Sequence, residues 1–249
     1  MRRLTNPQNL LLTMLPPLSR RRLFAELELV PLQKGDVISS HGAASDHIYF
    51  LNAGVCALQL PAEDERFITV GMIGNEGLAP LSSFKFSAFS PFDIVINFPG
   101  TAFKMPAGIF NEIKDRDKII ADVVQRFSHI LMLQISHTSL TNAVNSVEVR
   151  LGRWLLMLQD RLSSNQIDTT HSFLSSFMGV RRASVTTALH SLEGMHLIRS
   201  NRAVVEIRER LALKAFVGNS YGQPEREYAE LVKDMMPEFS ETEEIGLPG

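Results

Sequence analysis

The chain has 249 residues, 45% of them hydrophobic and 21% charged, with a net charge of −2. That is enough for one large or two medium domains with a proper core. The single cysteine, Cys56, excludes an internal disulfide framework and a four-cysteine zinc or iron–sulfur site, and its apolar neighbours make it a buried strand residue.

Met1-Arg2-Arg3 followed by the apolar run Leu10 to Leu15 imitates a signal peptide. The run is short, stops at Pro16-Pro17, lacks a small-residue cleavage site and meets Arg20-Arg21-Arg22, so a helical patch over about 7–27 fits better. No stretch approaches the roughly 20 apolar residues of a membrane span, and a cytoplasmic location with no membrane partner is expected.

From residue 28 the period changes. Short strand-like runs cover 28–32, 36–38, 47–51, 55–60, 67–70, 94–96 and 101–105, separated by Lys34-Gly35, His41-Gly42, Asn52-Ala53-Gly54, Gly74-Asn75 and Pro99-Gly100. Closely spaced strands with glycine turns predict a β-sandwich or barrel over residues 1–114.

Between Asp115 and Val144 there is neither Gly nor Pro, and one long helix is expected over 115–144. It carries one apolar row at Ile119, Val123, Ile130 and Leu133. A second row, Ile120, Val124, Phe127 and Leu131, steps by four and three and continues through Gln134 and Thr138. The first row can cover the β-domain. The second has a coiled-coil step and is assigned to a partner helix, hence a parallel homodimer; the alternative is a helix buried on both sides within one chain. A break follows at 142–146, with Asn145 as N-cap and Glu148 as its reciprocal partner, and the domain hinge is placed there.

Charge then concentrates. Residues 146–216 hold 10 basic against 6 acidic side chains, whereas 1–145 are neutral and 217–249 hold 2 against 8. A basic segment between a neutral body and an acidic tail is the footprint that nucleic-acid binding leaves. Within it, Thr170 can cap a short helix 171–178, Gly179 can form a tight turn, and 181–192 reads as a second helix. Val185, Leu189 and Leu192 fall at core spacing; the opposite face carries Arg182, Ala183, Thr186 and Thr187, the candidate base-reading residues, with Arg181 and Ser184 near its amino end. Two runs, 197–199 and 203–207, around a turn at Ser200-Asn201-Arg202 complete a β-hairpin wing that places Arg199 and Arg202 for phosphate contact. The tail from Glu238 to Gly249 is acidic, rich in helix breakers and expected to be disordered.

These features resemble the Crp/Fnr superfamily over about residues 8–215. The resemblance is carried by Leu32 to Ile38, Ile48 to Gly54, Gly74-Asn75-Glu76-Gly77, Val147 to Leu156 and Met178 to Thr186. It implies an α+β protein with an N-terminal cyclic-nucleotide-binding-type β jelly roll (1–114), a dimerisation helix (115–144), a C-terminal winged helix-turn-helix (145–216) and an acidic helix and tail (217–249). It also implies a homodimer that reads a palindrome in double-stranded DNA and regulates transcription, with RNA polymerase a further partner. Arg182 falls where the family places a guanine-reading arginine, while Ala183 and Thr187 replace its other base readers. His171, Arg181, Ser184 and His190 fall on phosphate-contacting positions.

The effector pocket departs from the family. The positions for its Arg-Ser pair fall on Asp93-Ile94, and a carboxylate repels a cyclic phosphate. No arginine occurs between Phe67 and Phe103, and Glu76-Gly77 reverses the family's Gly-Glu order. Glu76, Gly77, Lys85 and Asp93 are the candidate pocket residues, for an unidentified small molecule other than cyclic AMP. No metal or cofactor is assigned: His129 and His137 read as helix-surface residues, and His41 and His47 lack a third ligand. No phosphate-binding glycine loop, His-Glu-x-x-His pattern or nucleophile elbow occurs, so no catalytic residues are assigned. The alternative is a small-molecule or cyclic-nucleotide sensing module whose winged domain docks protein; the surplus positive charge and Arg182 argue against it.

Overall fold

The computed structural model describes residues 8–62, 67–81 and 89–236. The chain opens with two short helices, α1 (Leu10–Met14) and α2 (Pro17–Phe24), separated at Leu15-Pro16. Asn9 caps α1 and its amide donates to the carbonyls of Leu51 and Gly77 at 2.7 Å each, fastening this end to the sheet.

Six strands follow: β1 (Glu28–Leu32), β2 (Val37–Ser39), β3 (His47–Pro61), β4 (Phe67–Ile73), β5 (Leu78–Ala79) and β6 (Asp93–Pro106). They form an antiparallel, jelly-roll-like sheet in the order β1-β6-β3-β4, with β2 on β6 and β5 on β3. Four of the expected runs merge into two long strands, because glycines read as turns are bulges. Gly54 has φ +86°, and a Cβ there would lie 2.6 Å from the Phe98 oxygen; one at Gly100 would collide with the Ala53 carbonyl. β3 and β6 shift register at this crossing and continue, as glycine permits.

α3 (Ala107–Arg116) leads to α4 (Lys118–Val144). The long helix starts later than expected because Asp117 ends one helix and caps the next, accepting from the Ile119 and Ile120 amides.

Residues of both rows of α4 are buried within this one chain. Ile120, Val124, Phe127, Leu131 and Gln134, assigned to a partner helix, are buried within the same chain. Phe127 fills the space a side chain at Gly77 would take, and Gln134 Oε1 accepts from the Met72 amide at 2.7 Å, satisfying a donor on edge strand β4. Val123 and Ile130 of the other row join a core shared with Tyr228, Leu231 and Val232 of a C-terminal helix, α9 (Gln223–Met235), which packs on α4. The step of four and three therefore serves a sheet, not a second chain.

α4 breaks at Asn145-Ser146. The cap of α5 (Val147–Leu162) is Ser146, one residue later than expected, while Asn145 ends α4. Next come β7 (Gln166–Asp168), α6 (His171–Met178), α7 (Arg182–Gly194), β8 (Ile198–Asn201), β9 (Val204–Ile207) and α8 (Arg210–Val217). β7-β9-β8 form a small antiparallel sheet whose first strand the sequence reading missed. The tail from Glu238 lies outside the described residues.

Two apolar cores result. One fills the sheet beneath α1, α2, α4 and α9; the other fills the C-terminal domain but also includes Val55, Ala57, Met72 and Phe98 of the sheet. β3 alternates between them, sending Cys56 and Leu58 into the first and Val55 and Ala57 into the second. Cys56 is fully buried, and burial, reinforced by the charge of Glu76, pushes its thiol up to about 12, which fits a core role.

Candidate nucleic-acid interface

The helix-turn-helix is built from local signals. Thr170 Oγ1 accepts from the Phe173 amide at 3.1 Å and starts α6. Gly179 ends it at φ +64°, in the left-handed region where glycine carries no Cβ penalty, and the Ser175 hydroxyl donates to the Val180 carbonyl to tighten the turn. α7 then buries Val185, Ala188, Leu189 and Leu192. Beneath both helices, Trp154 of α5 meets Phe177 edge-to-face with ring centroids 4.9 Å apart.

The opposite side of α7 is open. Arg181, Arg182, Ala183, Thr187 and His190 are exposed, Ser184 and Thr186 half-buried. Thr186 is engaged: its hydroxyl donates to the Arg182 carbonyl at 3.1 Å and lies 3.0 Å from His171 Nδ1.

In the wing, Asn201 pairs with Val204, so the tip is Arg202-Ala203, one residue beyond the expected turn, with Ala203 at φ +63°. Glu193 of α7 accepts from the Ser200 amide at 3.0 Å and ties the wing to that helix. Between them runs a groove of about 470 Å³ lined by His171, Arg182, His190 and Arg202, among others. Four residues selected from sequence thus converge from α6, α7 and the wing. Arg199 does not join them; it lies exposed on β8 opposite Glu206.

The candidate effector residues do not converge. Asp93 accepts from the His41 amide at 2.9 Å, beside Gln59 of β3. Gly77 bonds at the other end of that strand, its carbonyl accepting from the Leu51 amide, roughly 25 Å of extended chain away. Glu76 is occupied by Arg161 of α5: the guanidinium Nε and a terminal nitrogen lie 2.8 and 2.7 Å from Glu76 Oε1, and the Gly74 amide donates to Oε2. Lys85 lies outside the described residues.

Sequence reasoning also missed the polar links behind the interface. Tyr228 of α9 donates to the Glu76 carbonyl at 2.8 Å, and Arg126 of α4 pairs with Asp234 of α9. Tyr221 donates to Asp160, which also binds Arg210 at 2.8 Å. Burial, with Asp160 beside it, raises the Tyr221 hydroxyl, so it remains a donor. These residues are 50 or more positions apart, and no local spacing marks them.

Comparison with known proteins places this architecture. Residues 149–216 match the Crp-like helix-turn-helix domain family. A regulator ascribed to the Crp/Fnr family from Eubacterium rectale superposes with a TM-score of 0.62 at 16% identity, over 83% of this chain and 97% of its own. The c-di-GMP-responsive global regulator CLP of Xanthomonas campestris gives 0.64 at 13%, over 77% and 99%. FixK2 of Bradyrhizobium japonicum gives 0.65 at 12%, over 76% and 96%. A search of curated protein sequences finds no match. Among the described residues no helix is long and apolar enough to cross a membrane. The chain thus carries a Crp-like helix-turn-helix domain within the overall fold of the Crp/Fnr transcription regulators.

Proposed function

We propose that this protein is a sequence-specific DNA-binding transcription regulator that acts as a homodimer on a palindromic operator. The observation that carries the reading is the exposed N-terminal face of α7 beside a groove holding Arg182, His171, His190 and Arg202. A helix can enter the major groove with that face, while the flanking cations meet phosphates on either side. The dimer contact is the outer side of α4, where Met132, Leu140 and Val144 are 57–69% exposed on a helix otherwise buried on two sides. A second copy of the same surface would cover them. Cyclic AMP is not the effector in this reading, since Asp93 stands where its phosphate needs a cation and is bound to the His41 amide.

Selection of sites from a random duplex pool, with and without cyclic AMP, tests the reading. Enrichment of a palindrome without ligand is expected; enrichment only with the nucleotide overturns the pocket argument, and none in either arm overturns the function. Two substitutions separate the contact classes. Arg182→Ala is expected to cost about 1–3 kcal/mol and to relax preference at one base pair per half-site. Arg202→Ala is expected to weaken all duplexes alike and to lower the salt slope by about one phosphate's worth. Binding isotherms on operator and scrambled duplexes check both, and a change of base preference with Arg202→Ala would refute its assignment.

A further inference from the structure

The buried row of α7, Val185, Ala188, Leu189 and Leu192, fixes which way the helix turns its other side. At 3.6 residues per turn, the middle of the opposite arc falls on Ala183 and Thr187, one turn apart and both exposed. Arg182 stands at the edge of that arc, on the side of the wing groove. The residue aimed most directly outward from the first turn, the part of such a helix that meets base edges, is therefore an alanine. Its side chain is a single methyl group.

Hydrogen-bonding capacity on this face is limited. The Thr186 hydroxyl is engaged with the Arg182 carbonyl and lies 3.0 Å from His171 Nδ1. α7 contains no Asn or Gln, the residues that pair with adenine in two bonds. Its one carboxylate, Glu193, lies in the last turn and accepts from the Ser200 amide, so none is left to accept from the cytosine amino group. What faces outward is the Arg182 fork, which suits guanine, and the methyls of Ala183 and Thr187.

We infer that α7 recognises thymine by its C5-methyl group, through the methyls of Ala183 and Thr187, beside the guanine read by Arg182. This rests on the DNA-binding reading above and names the base feature that the same helix selects. The thymine methyl projects into the major groove and is the one apolar group on a base edge there. Nothing of Ala183 extends past Cβ, so its contact brings the helix backbone close to the bases and removes both methyls from water. Ala183 and Thr187 are about 6 Å apart along the helix, so the thymines they cover lie within about two base-pair steps of each other.

The experiment measures binding of the full-length protein to the palindrome enriched from the random duplex pool. Each thymine of a half-site, on either strand, is replaced by deoxyuridine in both half-sites at once. That removes the methyl and leaves every hydrogen-bonding group in place. Two positions are expected to lose affinity by about fourfold per half-site, the worth of one buried methyl-sized group, and the others by less than about twofold. Ala183→Gly should abolish the penalty at one of the two. At the other, Thr187→Ser, which drops the methyl and keeps the hydroxyl, should abolish it, and Thr187→Val, which does the reverse, should keep it. Each penalty is a ratio within one variant, so a general loss of affinity does not enter it, and thermal melts confirm folding.

Deoxyuridine tolerated within about twofold at every position overturns the inference, as does a half-site without thymine. So do penalties that survive both Ala183→Gly and Thr187→Ser, since the methyl contact then lies elsewhere. A penalty lost with Thr187→Val and kept with Thr187→Ser would show the hydroxyl reading the base, which overturns the role of Thr187. A pool that yields no enriched duplex overturns the DNA-binding reading itself.

Discussion

Replacing Arg161 by alanine is expected to destabilise the protein by about 3–5 kcal/mol, the usual cost of leaving one partner of a buried ion pair alone. The side chains of Arg161 and Glu76 are only 8% and 13% exposed, so solvent screens the pair weakly. The guanidinium also donates to the Met157 carbonyl of its own helix at 2.9 Å. Burial alone would lower its proton affinity, but Glu76, Glu225 and Asp160 around it together outweigh that and hold the charge. Without Arg161, the Glu76 carboxylate remains in a largely apolar pocket lined by Phe127 and Tyr228, among others. It must then take up a proton. A carboxyl whose folded pKa is raised contributes stability below its unfolded value and loses it as pH rises, so the deficit should be smaller at pH 5 than at pH 8. Urea unfolding at the two pH values measures this. A loss under about 1 kcal/mol at pH 8 would mean that water reaches the pair and that it holds nothing together. The double replacement Glu76→Leu with Arg161→Met should recover most of the loss, since apolar side chains of similar volume commonly match a buried pair.

This ion pair matters beyond its own energy because of what it joins. Glu76 lies in the turn that ends β4, and Arg161 near the end of α5, inside the Crp-like domain. Around it, the domains touch at other points. Phe98 of β6 meets Phe173 of α6 edge-to-face with centroids 5.9 Å apart, and Lys34 sits over the same ring. Ile68 of β4 packs under Gly179 of the turn, where a Cβ would approach it to 3.0 Å. Arg153 of α5 is 2% exposed and donates to the carbonyls of Gln134 on α4 and Ser220. Burial lowers its pKa to about 10, still high enough to keep it charged at neutral pH. The break at Asn145-Ser146 is therefore a corner between packed bodies, and moving the winged domain would expose Val55, Ala57, Met72 and Phe98.

How far the sequence could be read follows from which signals are local. The cap at Thr170, the left-handed Gly179 and the spacing of Val185, Leu189 and Leu192 each depend on a few neighbouring residues, and the helix-turn-helix formed where they predict it. The rows of α4 illustrate the limit. Periodicity establishes that Ile120, Val124, Phe127 and Leu131 share a face, but a sheet, α9 or a second chain can each cover such a face. Choosing among them needs the position of β4 and of α9, and α9 arrives some 100 residues later. Glycines have the same ambiguity: Gly54 and Gly179 both take positive φ, yet one sits in a bulge and the other between helices. The surroundings of Glu76 show a different limit. Family position placed Glu76 near a ligand, while its partner Arg161 is 85 positions away with no motif to announce it.

Trp154→Ala is expected to cost a further sort of stability, about 3–5 kcal/mol from the cavity it would leave. The indole is 2% exposed, edge-to-face with Phe177, with the Arg153 guanidinium 5.3 Å from its ring centre. Collapse around the gap is hindered, because Phe177 also packs at a tilt against Phe173, which is held against Phe98 of the sheet. Trp154→Phe should lose much less, since an aromatic edge remains for Phe177. Denaturant titrations followed by far-ultraviolet dichroism measure both. Trp154 is also the chain's one tryptophan, so in the wild type its fluorescence reports on the Crp-like domain alone. If sheet and winged domain share a core, that fluorescence transition must coincide with the dichroism transition of the whole chain. A fluorescence midpoint well below the dichroism midpoint would mean that the winged domain melts first, and that Phe98 and Phe173 contribute little to its placement.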